Sequence, residues 1–171
     1  MDVVFYVICL IYYIAIMKVK KLVYVDESGM NKEYQREYGR AKIGVRVEDT
    51  KRGKRCKRTN IIAGLCEGKH LAVQCYTHST TSLFFEDWFE FELIPSLGQN
   101  TLIIMDNASF HRKKILYKIA SRYEVHVLFL PPYSPDLNPI EKSWANFKRW
   151  LGYNSNRFPC LDFAVDYYFN N

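Results

Sequence analysis

The sequence contains no C-x-x-C pair. Its five cysteines, Cys9, Cys56, Cys66, Cys75 and Cys160, are scattered and odd in number. That spacing argues against a zinc ribbon and a disulfide framework, and for small apolar thiols in a reducing compartment. Histidine is also scarce, and His70, His78 and His126 have no metal-ligand spacing. No internal repeat and no low-complexity linker interrupts the 171 residues, which is a length for one domain with a real core. Charge is missing from fifteen consecutive residues, Val3 to Met17. That run is shorter than the ~20 residues of a spanning helix. It lacks a basic region in front and a small-residue cleavage site behind, which argues against a signal peptide. Three readings stay open for it: a buried helix or strand, a membrane anchor through residues 3–17, or a non-native start on a truncated gene.

What is present is apolar and basic. Apolar residues make up 49% of the chain and aromatics 16%, too much for a disordered segment. A net charge of +6 and a sequence pI near 9.0 favour an anionic partner such as nucleic acid. "KRGKRCKR", Lys51 to Arg58, holds six basic residues in eight. Its residues Lys51, Arg52, Lys54, Arg55, Lys57 and Arg58 are candidates for phosphate-backbone contact, or else form a solvated loop.

Coarse elements follow from periodicity and punctuation. "KLVYVDESG" reads as a strand stopped by a turn. "TNIIAGLCEGKHLAVQCYTHS" reads as two strands around Glu67-Gly68-Lys69, a hairpin. "TTSLFFEDWFEFELIP" is helical in pattern and closed by Pro95. "TLIIM" is a strand, followed by a helix with Ile115, Leu116, Ile119, Ala120 and Tyr123 on one face. "VHVLFL" is a further strand halted by Pro131 and Pro132. In "SPDLNPIEKSW", Asn138 has the chemistry of an N-cap, Pro139 suits the first helical position and Glu141 the third position of a capping box. The helix that starts there has apolar positions Ile140, Trp144, Phe147 and Leu151, and Trp144 reads as core. Early strands followed by strand–helix alternation indicate an α/β fold, a mixed sheet with helices packed on it.

Three acids fall where such folds keep their sites. Asp26 closes "LVYVD", Asp106 closes "LIIMD", and Glu141 starts the helix after the next strand. Sites in α/β sheets gather at the carboxyl ends of strands. Converging carboxylates repel unless a cation sits among them, and hard cations such as Mg²⁺ or Mn²⁺ prefer oxygen ligands. Two such ions are a device for phosphodiester chemistry. Each acid also has a local explanation. Asp26 suits a turn, Asp106, Asn107 and Ser109 suit caps of the next helix, and Glu141 suits its capping box.

"YVDESG", "IIMDNASFH" and "LFLPPYSPDLNPIEKSWANFKR" together resemble the catalytic domain of insertion-sequence transposases of the Tc/mariner-like class, over about Lys21 to Leu151. The family's acidic triad falls on Asp26, Asp106 and Glu141. Thirty-four residues lie between the last two, as in Asp-Asp-Glu members. The resemblance implies a ribonuclease-H-like fold and two divalent ions, Mg²⁺ or Mn²⁺, at the triad. It also implies cleavage at transposon ends and attack of the freed 3′-hydroxyl on target DNA. Asn107 and His111 match the family's "DNxxxH" pattern and, with Asn138, are candidate supporting residues. Pro131, Pro132, Tyr133 and Pro135 match its proline-rich turn.

The organisation expected from this is an apolar segment over 1–20, a catalytic domain over 21–152 and a C-terminal tail over 153–171. Only about twenty residues stand where such transposases carry helix-turn-helix modules, so the end-recognition module is expected to be missing or separately encoded. A homo-oligomer on DNA and a cytoplasmic, nucleoid-associated location complete the expectation. The alternative is a truncated, non-catalytic DNA-binding remnant of a transposase.

Overall fold

β1 (Lys21–Met30) is the strand on which the rest is assembled. In the computed structural model, which describes residues 3–30, 59–132 and 134–170, β2 (Thr59–Cys66) runs antiparallel to it on one side and β4 (Thr101–Met105) parallel on the other. β3 (Lys69–Tyr76) and β5 (His126–Phe129) form the two edges, giving the order β3-β2-β1-β4-β5. This is the mixed sheet flanked by helices that the resemblance implied. The turn between β2 and β3 is the expected Glu67-Gly68 pair, both at positive φ, 49° and 80°, the backbone that closes a two-residue hairpin.

Strand alternation sorts the core into two layers. On one face Val23, Val25, Ile103, Met105 and Val127 meet α2 (Ser82–Trp88), the π turn Phe89–Leu93 and α3 (Lys113–Arg122). On the other, Leu102 and Ile104 lie under α1 (Val3–Ile16), while Ile61 and Ala63 lie under α4 (Ile140–Asn154) and α5 (Leu161–Asn170). The apolar N-terminal run is therefore a helix with Tyr6 seated on the sheet. No helix among the described residues is long and apolar enough to cross a membrane. The segment over 153–171, expected as a tail, carries α5, whose Leu161, Ala164 and Val165 are buried.

Four local expectations are corrected. "DESG" is not a turn. β1 continues through it because Asp26 to Met30 pair with Ala63 to Thr59 of β2. Pro95 does not close the helix before it but sits inside a 3-10 turn, Ile94–Ser96. In α3 only Leu116, Ile119 and Ala120 are buried, whereas Ile115 and Tyr123 face solvent. The capping box of α4 does not form. Pro139 stands at the cap, and no side chain caps the helix. A cap contributes about 1 kcal/mol. The four buried side chains Ile140, Trp144, Phe147 and Leu151 contribute about 1.5–3 kcal/mol each, so packing determines how α4 begins.

Candidate active site

The sheet brings the two aspartates together through its register. β1 and β4 are parallel, with Val25 opposite Met105. The next residue of each strand is therefore Asp26 and Asp106, at the same level. Alternation carries them to the face shared by Tyr24 and Ile104, the face covered by α1 and α4. Asp26 is reached by continuing β1 past the end of β4. Asp106 is reached where β4 stops. Glu141 stands in the first turn of α4, exposed. All three acids line one cavity of about 380 Å³, walled by Leu130, Pro131, Pro132 and Pro135 and including Asn107 and Asn138. The proline turn thus forms a side of the cavity, although Tyr133 lies outside the described residues. So do Lys51, Arg52, Lys54, Arg55, Lys57 and Arg58.

The two aspartates differ electrostatically. Asp26 is 8% exposed. Burial, reinforced by the negative charges of Glu141, Glu27 and Asp106, pushes its carboxyl up to about 8. Asp106 is half exposed. The hydrogen bond from His111, opposed by burial and aided by the Ala108 amide, holds it below the usual carboxylate range. The Ala108 N–H donates to Asp106 Oδ1 at 3.1 Å. This local turn is not a helix cap, and α3 starts later, at Lys113, with no side-chain cap.

His111 is buried behind Asp106. Its Nδ1 lies 3.3 Å from Asp106 Oδ1 and 3.2 Å from the Asp106 carbonyl, and its ring packs 4.2 Å from Phe85. Its Nε2 faces Glu27 Oε1 at 3.5 Å, an ionic contact too long for a strong hydrogen bond. Burial works against the charged imidazole, but Asp106 and Glu27 outweigh it and lift the pKa to about 9. His111 thus bridges two acids as a cation. Sequence reasoning did not single out Glu27. Its signal is strand parity, which sends it to the face opposite Asp26.

α4 is tied to β1 at two places. Asn138 Nδ2 donates to the Val25 carbonyl at 3.4 Å, and Trp144 Nε1 donates to Asp26 Oδ2 at 3.0 Å. Asn138 is therefore a tether between elements, not a helix cap. Its Oδ1 is buried with no hydrogen-bond partner among the described residues, and the residue lines the acidic cavity. Trp144 is core, as its helical position implied, yet its N–H has a polar target that periodicity did not reveal. His70 is structural, held by Ser143 Oγ at 2.7 Å and packed on Phe169.

The donor set fits a hard cation. Three carboxyl groups share the cavity, one of them held protonated by burial and by its neighbours' charge, and a buried amide oxygen beside them lacks a partner among the described residues. Among the described residues no three such side chains stand close enough to be a ready-made metal cluster. Exposed Glu141 is the acid with freedom to adjust.

Comparison with known proteins extends this reading. The DDE superfamily endonuclease family matches residues 21–162. The Transposable element Tc1 transposase of Caenorhabditis elegans is 35% identical over 72 residues, 40% of this chain and 26% of that protein. The Mos1 transposase paired-end complex with left transposon end superposes with a TM-score of 0.76 at 19% identity, covering 95% of this chain and 52% of that one. Mos1 mariner paired-end complexes with Mn and with Mg give 0.71 and 0.74. The catalytic core of BIV integrase gives 0.52 at 12% identity, covering 85% of this chain and 78% of that one. The chain spans about half the length of the Mos1 protein it matches. The sheet order is thus that of a ribonuclease-H-like core, and the family match runs from the first residue of β1 past the end of α4. The chain belongs to the DDE superfamily endonucleases, and it is similar to the Tc1 and Mos1 transposases over the parts matched.

Proposed function

We propose that this domain cleaves DNA at transposon ends and joins the freed 3′-hydroxyl to target DNA, using divalent ions held by Asp26, Asp106 and Glu141. The observation that carries the reading is the convergence of three acids from β1, β4 and α4 on one cavity. Mg²⁺ or Mn²⁺, two ions, suits these oxygen ligands. Bound there, such ions would activate the attacking oxygen and offset charge on the leaving one. The chain's own residues have distinct tasks. Asp106, already ionised, offers a charged oxygen at neutral pH. Asp26 would give up its proton on binding a cation. His111 holds Asp106 from behind, and Asn138 anchors the start of α4. The prolines at 131, 132 and 135 wall the cavity beside the acids.

The partner in this reading is DNA. The Mos1 complexes to which this chain is similar contain a transposon end, which supports the assignment. The basic run over 51–58 supplies affinity and salt dependence, not sequence choice. A helix-turn-helix part would recognise the ends, and the active assembly is a homo-oligomer on DNA. In the test, the full chain, with a partner that recognises the ends, is incubated with end-containing DNA and Mg²⁺ or Mn²⁺. Nicking and joining are expected, and reduced to background by Asp26→Asn, Asp106→Asn or Glu141→Gln. DNA binding with no metal-dependent turnover would instead identify the non-catalytic remnant.

A further inference from the structure

We infer that Trp144 is a positioning residue for Asp26: its indole N–H fixes the carboxylate, and the helix turn that carries Glu141 thereby sets how the first and third acids face each other. The inference rests on the reading of Asp26 and Glu141 as metal ligands.

Trp144 is 1% exposed. Burial of the ring is accounted for by its packing with Ile140, Phe147 and Ala63, and a phenylalanine would satisfy that requirement as well. The indole nitrogen is different. It is a donor with no acceptor capacity, and once buried it must find an oxygen. Trp88, equally buried, uses a backbone carbonyl, that of Ala72 at 2.8 Å. Trp144 instead reaches Oδ2 of an acid 118 positions away, at 3.0 Å, with both groups buried. The Asp26 side chain is therefore held by a donor that belongs to α4 and not to its own strand.

The location of Trp144 gives the bond its reach. Glu141 and Trp144 are three residues apart on α4, on neighbouring positions of one helix face. Asn138, three residues before Glu141, ties the same helix end to Val25. Glu141 is therefore flanked by two tethers that grip residues 25 and 26 of β1. A shift or roll of α4 moves Glu141 and releases Asp26 at the same time. Outer-shell hydrogen bonds of this kind to a ligating carboxylate typically change metal affinity 10–100-fold when removed.

The test uses the full chain and Mn²⁺ alone, without DNA. Binding is measured by calorimetry for wild type, Trp144→Phe and Asp26→Asn. Trp144→Phe is expected to bind about tenfold more weakly and Asp26→Asn not measurably. A second measurement is independent of whether Trp144→Phe folds. With ¹⁵N-labelled indoles, the three tryptophans give three resolved N–H signals. That of Trp144 should move in Asp26→Asn and on adding Mg²⁺ to wild type, while that of Trp88 stays. Equal Mn²⁺ affinity in wild type and Trp144→Phe, with Asp26→Asn inert, overturns the positioning role and leaves the functional reading intact. A Trp144 signal insensitive to both Asp26→Asn and Mg²⁺ also overturns it. Mn²⁺ binding that ignores Asp26→Asn removes the ligand reading, and the positioning role with it.

Discussion

Asp26 and Asp106 carry the same functional group at the same level of the sheet, and their surroundings drive them apart. Asp26 is buried beside other acids, so its proton stays on to about 8 against an ordinary value of 3.8. Asp106 has the His111 cation, so it ionises early. The consequences for stability have definite signs. Between about pH 4 and 8 the unfolded chain has released the Asp26 proton that the native state keeps, so stability falls as pH rises. His111, at about 9 against 6.5 when unfolded, stabilises fully below pH 6.5 and loses that contribution as pH climbs through 9. Asp106 acts at the other end, stabilising above its ordinary range and ceasing to do so as pH falls through its depressed pKa. In metal-free protein the thermal midpoint should therefore decline from pH 6.5 to 9. Mg²⁺ should raise the midpoint more at pH 8.5 than at 6.5, because the ion must displace a proton from Asp26. A midpoint that climbs over this window contradicts the assignment.

The β2–β3 hairpin shows how a single element meets its constraints. Ile62 pairs with Gln74 but Gly64 with Leu71, so β3 carries one extra residue. Within that bulge Ala72 stands at φ 50°, a conformation that costs a non-glycine residue about 1–2 kcal/mol. Ala72→Gly should relieve this and, after its entropy cost, raise the midpoint by a degree or two. The reverse holds at Gly64. A Cβ there would stand 2.9 Å from Leu93 Cδ1 and 3.0 Å from Val23 Cγ1, both fully buried. Gly64→Ala should cost about 1–3 kcal/mol through overpacking, read as a lower midpoint in a thermal melt. The hairpin's ends and its Glu67-Gly68 turn were legible in the sequence, because alternation and turn chemistry are local. Its bulge was not, since a bulge exists only in the pairing. The same division runs through α4. Its buried face followed from a 3.6-residue period, whereas Asn138 was misread as a cap because its partner, Val25, lies 113 positions away.

At the scale of the whole molecule, α1 covers the half of the sheet that α4 and α5 do not reach. Tyr6, with Leu10, Tyr13 and Ile14, packs on Leu102, Ile104 and Leu130. Deleting residues 3–16 would expose those three buried side chains, at about 1.5–3 kcal/mol each. That is comparable to the 5–15 kcal/mol by which domains are stable. The truncated protein is expected to melt far lower or to aggregate, measured by thermal denaturation and by solubility. A truncation with an unchanged midpoint would show α1 to be dispensable. The sequence left this segment open among a buried helix or strand, an anchor and a non-native start, because a charge-free run of fifteen residues carries no polar face to orient it. The acids were legible for the opposite reason. Each interrupts or follows an apolar run, and a parallel register needs only matching strand ends to bring Asp26 and Asp106 level.

That register also bears on which gene variants the domain can survive. One codon inserted between Leu97 and Asn100, in the connection before β4, leaves Thr101 to Asp106 in place. One codon inserted between Leu102 and Met105 sends every later side chain to the opposite face, including Asp106, away from Asp26 and α4. Reading-frame-preserving insertions should therefore be tolerated up to the start of β4 and abolish the site within it, a boundary set by the period of two in an extended chain.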